Sequence, residues 1–256
     1  MKVLEHFDRT NTASYILYQL KKGEWGNLIG KLPVVFRKCY ITDRVLEDLS
    51  NKNGIPKSDF LEKYIIPNRG NIVSGDFGEI LSYYAVQDNY QTKGINISGP
   101  KKWQWKYDKN KPVQGADAIL FHIANPKRAT KNDILVSIES KMKALASTDH
   151  RIQDAIIGAS KDKKSRMAKT LSWLEERYAR DGVKDKIKLI ERFKDPATHG
   201  DYQKKFKAIA IVDNTLETGE TGKSFTNIDN VCVIVFSIED LKKAYEDTRI
   251  NIINSV

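Results

Sequence analysis

Four short apolar runs constrain this chain more than any other feature: ADAILFHIA (116–124), DILVSIES (133–140), FKAIAIVDN (206–214) and NVCVIVFSI (230–238). Each is rich in Ile, Val and Phe and has the length of a buried strand rather than of a helix. Asn125-Pro126 supplies a turn signal between the first two runs, so these read as a hairpin. The last run leads into a closing helix, EDLKKAYEDT. A long stretch with helical periodicity separates the two pairs. Strands, then helices, then strands with a final helix predict an α/β chain with a mixed sheet.

The segments before the first pair extend this layout. GDFGEILSYYAVQDNY places Phe77, Ile80, Leu81, Tyr84 and Ala85 on one helical stripe. GINIS and KKWQWKYD read as further strands, the second because Trp103, Trp105 and Tyr107 alternate with Gln104 and Lys106; such a stripe suits a core face, with base stacking as the other use. Earlier still, 12–22 reads as a short amphipathic helix. CYITDRVLEDLSNKNG reads as a better one, with Thr42 as N-cap and Gly54 as the C-terminal stop. Another short helix is expected over 58–67, and a turn at Asn68-Arg69-Gly70-Asn71. Residues 1–70 thus form a helical N-terminal extension, for docking or regulation, ahead of a main domain at 71–256.

After the capping cluster Ser147-Thr148-Asp149, a stripe of Ile152, Ala155, Ile156 and Ala159 opens a basic helical region that runs to Asp195-Pro196. Between residues 161 and 207 stand 15 Lys or Arg against 8 Asp or Glu, most of the chain's formal net charge of +10. Such a surface could track a phosphate backbone, dock a partner protein or simply be solvated. The two cysteines, Cys39 and Cys232, lie far apart in apolar settings and read as free thiols of a reducing compartment. The N-terminus lacks an apolar signal core and no run approaches the ~18 residues of a membrane span, so a cytoplasmic protein is expected. His6, His122, His150 and His199 show no zinc spacing.

The chemistry concentrates at the end of the hairpin. Alternation on DILVSIESK puts Leu135, Ser137, Glu139 and Lys141 on one face and Val136, Ile138 and Ser140 on the other. Antiparallel pairing of the two runs brings Asp117, behind Gly115, beside Glu139 and Lys141. Two carboxylates and a lysine suit Mg²⁺, with Mn²⁺ as a substitute, because hard oxygen ligands hold such ions and leave room for water and phosphate. Asp117 and Glu139 would ligate the metal, the Ser140 carbonyl would add a ligand, and Lys141 would orient water or contact the phosphorus centre. The bland reading is a surface ion pair between Glu139 and Lys141 with Asp117 merely ending a turn.

An Asp, a spacer and then Glu-x-Lys on successive strands resembles the PD-(D/E)xK, restriction-endonuclease-like nucleases. That resemblance implies an αβββαβ core and a further acidic residue on the first helix, here Glu79. Ala116 stands where the pattern often has proline. Over residues 71–160, GDFGEIL…GADAIL…VSIESK is also similar to the HamA-like nuclease subunits of Hachiman anti-phage systems. This second resemblance implies a DNA-degrading effector that works with a HamB-like helicase. Rival readings are a non-catalytic nucleic-acid or partner-binding module on the same fold, and a site-specific restriction enzyme.

Three other features carry less. ETGETGKS (217–224) approaches a phosphate-binding loop, but Glu217 replaces the first glycine and a strand follows, so a hairpin-like loop is expected. Gln153 and Asp154, one turn into the helix after the Glu-x-Lys strand, are candidates to face the site. No GxSxG elbow occurs, which argues against a serine hydrolase.

Overall fold

Alternation in the apolar runs places opposite faces of one sheet against different helices. The computed structural model describes residues 2–194 and 202–256. In chain order its elements are β1 (Phe7–Asn11), β2 (Ile16–Leu20), α1 (Trp25–Tyr40), α2 (Asp43–Asn53), α3 (Lys57–Phe60), α4 (Gly70–Gln91), β3 (Ala118–His122), β4 (Ile134–Lys143), α5 (Arg151–Lys161), α6 (Met167–Arg180), α7 (Lys184–Lys194), β5 (Gln203–Asp213), α8 (Glu217–Thr221), β6 (Val231–Ile238) and α9 (Leu241–Ile253). Six strands form one mixed sheet in the order β1-β2-β6-β5-β4-β3. The outer pairs, β1–β2 and β3–β4, are antiparallel and the inner ones parallel.

On β5, Ile209 and Ile211 face the largely apolar helix α4, whereas Ala208, Ala210 and Val212 face α5. Small residues on that second face meet Ala155 and Ala159 of α5, so helix and sheet close tightly. A third core, over the start of β4 and β5, packs Ile119, Phe121 and Leu135 under α6 and α7. The mixed α/β architecture agrees with the sequence expectation. Thr42 Oγ accepts the amide of Val45, and Gly54 adopts the left-handed conformation at φ 62°, as the capping signals predict. The cysteines are free. Among the described residues, no helix is long and apolar enough to cross a membrane.

Several expectations are corrected. No helix forms over 12–22. Instead, β2 pairs in parallel with β6, where Tyr18 stacks on Phe236 at 5.0 Å and Leu17 reaches the opposite face. KKWQWKYD is no strand: Lys102–Trp105 coil into a 3-10 turn, and GINIS contributes only one bridge, between Ser98 and Phe121. The turn lets consecutive side chains diverge. Trp103 is buried beside Tyr83, Trp105 packs on Trp173 and Tyr178, and Tyr107 is left in solvent. Two strands and a bridge, not three strands, therefore separate α4 from α5. Residues 68–71 do not form an isolated turn, since α4 already begins at Gly70.

ETGETGKS contains a short helix rather than a hairpin-like loop. Its Glu220 is buried and accepts hydrogen bonds from Lys143 Nζ at 2.7 Å and the Arg151 amide at 2.8 Å. Burying that carboxylate against a lysine ties the segment to the start of α5. The Ser147-Thr148-Asp149 cluster supplies no side-chain cap to α5. Asp195-Pro196, the expected end of the basic helical region, and His199 lie outside the described residues.

Candidate active site

The hairpin register fixes the first relationship. Ala118 pairs with Ile138, so Asp117, one residue before β3, stands opposite Glu139. The turn leading to it is pinned from two sides. Gly115 has φ +97°, and a Cβ there would lie 2.9 Å from Thr170 Oγ1. The next amide, of Ala116, donates to that same hydroxyl at 3.0 Å, and Lys102 Nζ donates to the Ala116 carbonyl at 2.9 Å. Asp117 then turns one carboxylate oxygen onto the Ser140 amide at 2.8 Å.

Three oxygens surround the Lys141 ammonium. Glu139 Oε1 lies at 2.5 Å, the Ser140 carbonyl at 3.3 Å and Asp117 Oδ2 at 3.9 Å. Glu139 is only 3% exposed, so a solvated surface pair does not describe it. Its other oxygen is held by Arg166, which also grips Asp162 and donates to the Gly158 carbonyl at 2.9 Å. Asp162 in turn accepts from Ser137 Oγ at 2.7 Å. Gly158 makes room for this packing: a Cβ on it would meet Glu139 Oε1 at 2.3 Å.

Burial pushes the Glu139 carboxyl above its ordinary value; the Asp117 charge adds to this, and Lys141 and Arg166 oppose it. Burial works the other way on Lys141, but Asp117 and Glu139 outweigh it and hold the ammonium above its usual range. The cluster therefore keeps its lysine charged.

Glu79 sits behind this group, on α4. Its Oε2 accepts from the Trp103 indole at 3.0 Å and lies 3.2 Å from Lys102 Nζ. Burial raises its pKa to about 8, with Lys102 opposing and the charges of Asp117 and Asp76 adding to the rise. Glu79 thus senses Asp117 electrostatically while its hydrogen bonds go elsewhere. Asp76, one turn earlier, is buried against Lys106 Nζ at 2.6 Å and Tyr40 Oη at 2.9 Å.

Gln153 and Asp154 do not face the group: Gln153 accepts the Thr226 amide at 2.9 Å, and Asp154 pairs with Arg151 at 3.0 Å. Side chains that sequence reasoning passed over are Arg166, Asp162 and Lys102. Arg166 was legible only as one cation in a basic stretch. A π-helical turn at Asp162–Arg166 brings it back over Glu139, and no periodicity announces that turn.

A divalent cation fits the donor set. Among the described residues, no group of three or more His, Cys, Asp or Glu side chains gathers as a metal cage. Asp117, Glu139 and the Ser140 carbonyl instead offer a few hard oxygens around a point that already carries a positive charge, that of Lys141. A sparse oxygen set suits Mg²⁺, which keeps several of its waters.

A comparison with curated proteins returns no match. A family model described as HamA matches residues 4–253, from the 3-10 turn before β1 to the last residue of α9, so the match takes in both outer strands and the Asp117–Glu139–Lys141 group. The chain belongs to the HamA family, which points to a component of a Hachiman anti-phage defence system.

Proposed function

We propose that the chain is a Mg²⁺-dependent DNA phosphodiesterase of the PD-(D/E)xK type, the effector of its defence system, and that a helicase partner restrains and releases it. The observation that carries the chemistry is the Lys141 ammonium held within 3.9 Å of two carboxylates and a main-chain carbonyl. In this reading Asp117, Glu139 and the Ser140 carbonyl hold the metal. When bound, the metal acidifies water and offsets charge developing on the phosphate.

The chain's own residues do the rest. Lys141 is displaced from the three oxygens and turns its N–H groups toward the attacking water or a phosphate oxygen, where a fixed cation stabilises the transition state. A lysine ammonium is protonated at neutral pH without any help from its neighbours, so it remains a donor there. Arg166 holds one oxygen of Glu139, which leaves the other aimed at the cluster. Glu79 stands on α4 as the further acidic residue and supports the site through the Trp103 and Lys102 side chains that it holds. Exposed Lys184, Lys186 and Lys188 on α7 supply sequence-independent phosphate contacts.

The test is cleavage of supercoiled and linear DNA by purified protein with Mg²⁺ or EDTA, beside Glu139→Ala and Lys141→Ala variants that retain the native circular dichroism spectrum. Metal-dependent cleavage lost in both variants is expected. Equal cleavage by the variants removes the site assignment. If no form cuts DNA, the assay is repeated with the helicase partner, ATP and DNA; continued silence there favours a binding module.

A further inference from the structure

A shallow groove of about 220 Å³ opens beside the cluster, between the chain that leads into Asp117 and the outer face of α6. Its walls carry Trp105, Tyr107 and Trp173, with Lys111 and Gln114 at the edge. Trp105 is set by edge-on contacts with Trp173 at 5.5 Å and Tyr178 at 5.4 Å, and the Arg177 guanidinium lies 5.7 Å from its ring centre. These rings are therefore held in place.

Tyr107 is different. It is fully exposed, more so than any other large apolar side chain among the described residues. An unburied ring forgoes about 1.5–3 kcal/mol of burial, which a neighbouring core would normally capture.

Two segments that line the groove run on into the candidate active site. From Gln114 the chain reaches Asp117 in three residues, at most about 10 Å. On the other wall, Trp173 follows one turn after Thr170, the residue that holds the Ala116 amide, and α6 begins directly after Arg166, which holds Glu139. A ligand in the groove thus lies within a few nucleotide lengths of the carboxylates.

We propose that this groove binds an unpaired nucleobase of the DNA strand presented to the site. This rests on the phosphodiesterase reading for its location but not for its test. Aromatic side chains stack on the π-face of any base, which gives affinity without sequence choice. Only a single strand or an opened end exposes that face, because paired bases stack on one another inside a duplex. Lys111, 75% exposed and 3.8 Å from Asp108, also lines the groove, and its long side chain is free to turn its ammonium to a phosphate flanking the stacked base. A chain with formal net charge +10 supports such an anionic ligand. The substrate class is therefore single-stranded or frayed DNA.

The experiment is titration of the full-length protein in EDTA with a short oligo-dT or a blunt duplex of equal length, read by quenching of tryptophan fluorescence. Tyr107→Ala removes a ring that packs on nothing and keeps the fold; Trp105 variants are avoided because they open the core. Oligo-dT is expected to quench and to bind more tightly than duplex, and Tyr107→Ala to weaken oligo-dT binding by about tenfold or more. Lys111→Ala should flatten the salt dependence of oligo-dT binding by about 0.7 per contact.

Unchanged oligo-dT binding by Tyr107→Ala would overturn the proposal, as would equal binding of duplex. Tighter binding of oligo-rU than of oligo-dT would overturn the assignment to DNA. Because metal and cleavage play no part in the measurement, a protein that stacks oligo-dT yet cuts nothing keeps the groove and loses the nuclease. One that cuts DNA with no dependence on Tyr107 does the reverse.

Discussion

Asp117 Oδ2 accepts the main-chain amide of Ser140 at 2.8 Å, across the β3–β4 hairpin. This bond orients the carboxylate toward the residue whose carbonyl touches Lys141. Asp117 thus serves the structure as an acceptor, whereas the proposed chemistry would use its charge.

The two can be separated by substitution. Asp117→Asn retains an oxygen acceptor, so its melting temperature should stay within a few degrees of wild type. Its metal-dependent DNA cleavage should fall by about a hundredfold or more, the scale seen when one transition-state stabiliser is removed. Asp117→Ala should in addition lose about 1–3 kcal/mol of stability in urea unfolding, because the Ser140 amide is stranded. Full activity in Asp117→Asn would show that the charge is not used.

Arg166 neutralises two carboxylates that are nearly without exposure, Glu139 at 3% and Asp162 at 1%. Arg166→Met should therefore cost about 3–5 kcal/mol, the penalty of leaving buried charge uncompensated. Lys141→Met should cost clearly less, since Glu139 keeps Arg166 and the lysine is a third exposed. Chemical denaturation of the two variants would contradict this ordering if their midpoints fell equally.

Gly158 lets α5 lie directly against the Glu139 side chain. Gly158→Ala places a methyl 2.3 Å from Glu139 Oε1, so the carboxylate must move. Loss of about 1–3 kcal/mol from overpacking, with loss of cleavage, is expected. Gly75→Ala on α4 meets nothing within 4 Å and should instead stabilise the helix by about 0.5–1 kcal/mol. Thermal melts of the pair provide the check.

The buried Glu79 makes stability depend on pH. Its pKa rises from 4.5 to about 8 on folding, so between these values the folded chain binds more protons than the unfolded one. Stability from this group is then present below about pH 4.5 and is lost as pH rises toward 8. In metal-free buffer, the melting temperature of wild type relative to Glu79→Gln should decline from pH 5 to pH 8. A flat difference across that range would mean that Glu79 is not held protonated.

Local signals in the sequence determined a good part of this protein. Thr42 and Gly54 bound α2 because capping involves only neighbouring backbone groups. The apolar run 116–124 and the alternation in 133–141, with a turn between, were enough to bring Asp117 beside Glu139 and Lys141, because a hairpin joins adjacent segments. Tertiary structure decided what depends on distant partners. Phe7–Asn11 and Ile16–Leu20 become strands because β6, more than 200 residues away, offers an edge. Trp25–Tyr40 forms a helix despite Pro33 because Leu28, Leu32 and Phe36 are buried on one side of it. Lys102 and Trp103 leave the strand pattern because Glu79 and Ala116 need their donors. Arg166 reaches Glu139 only through a π-helical turn. Short-range backbone preference set the frame of the cluster; burial and the pairing of charge across the fold selected which cations complete it.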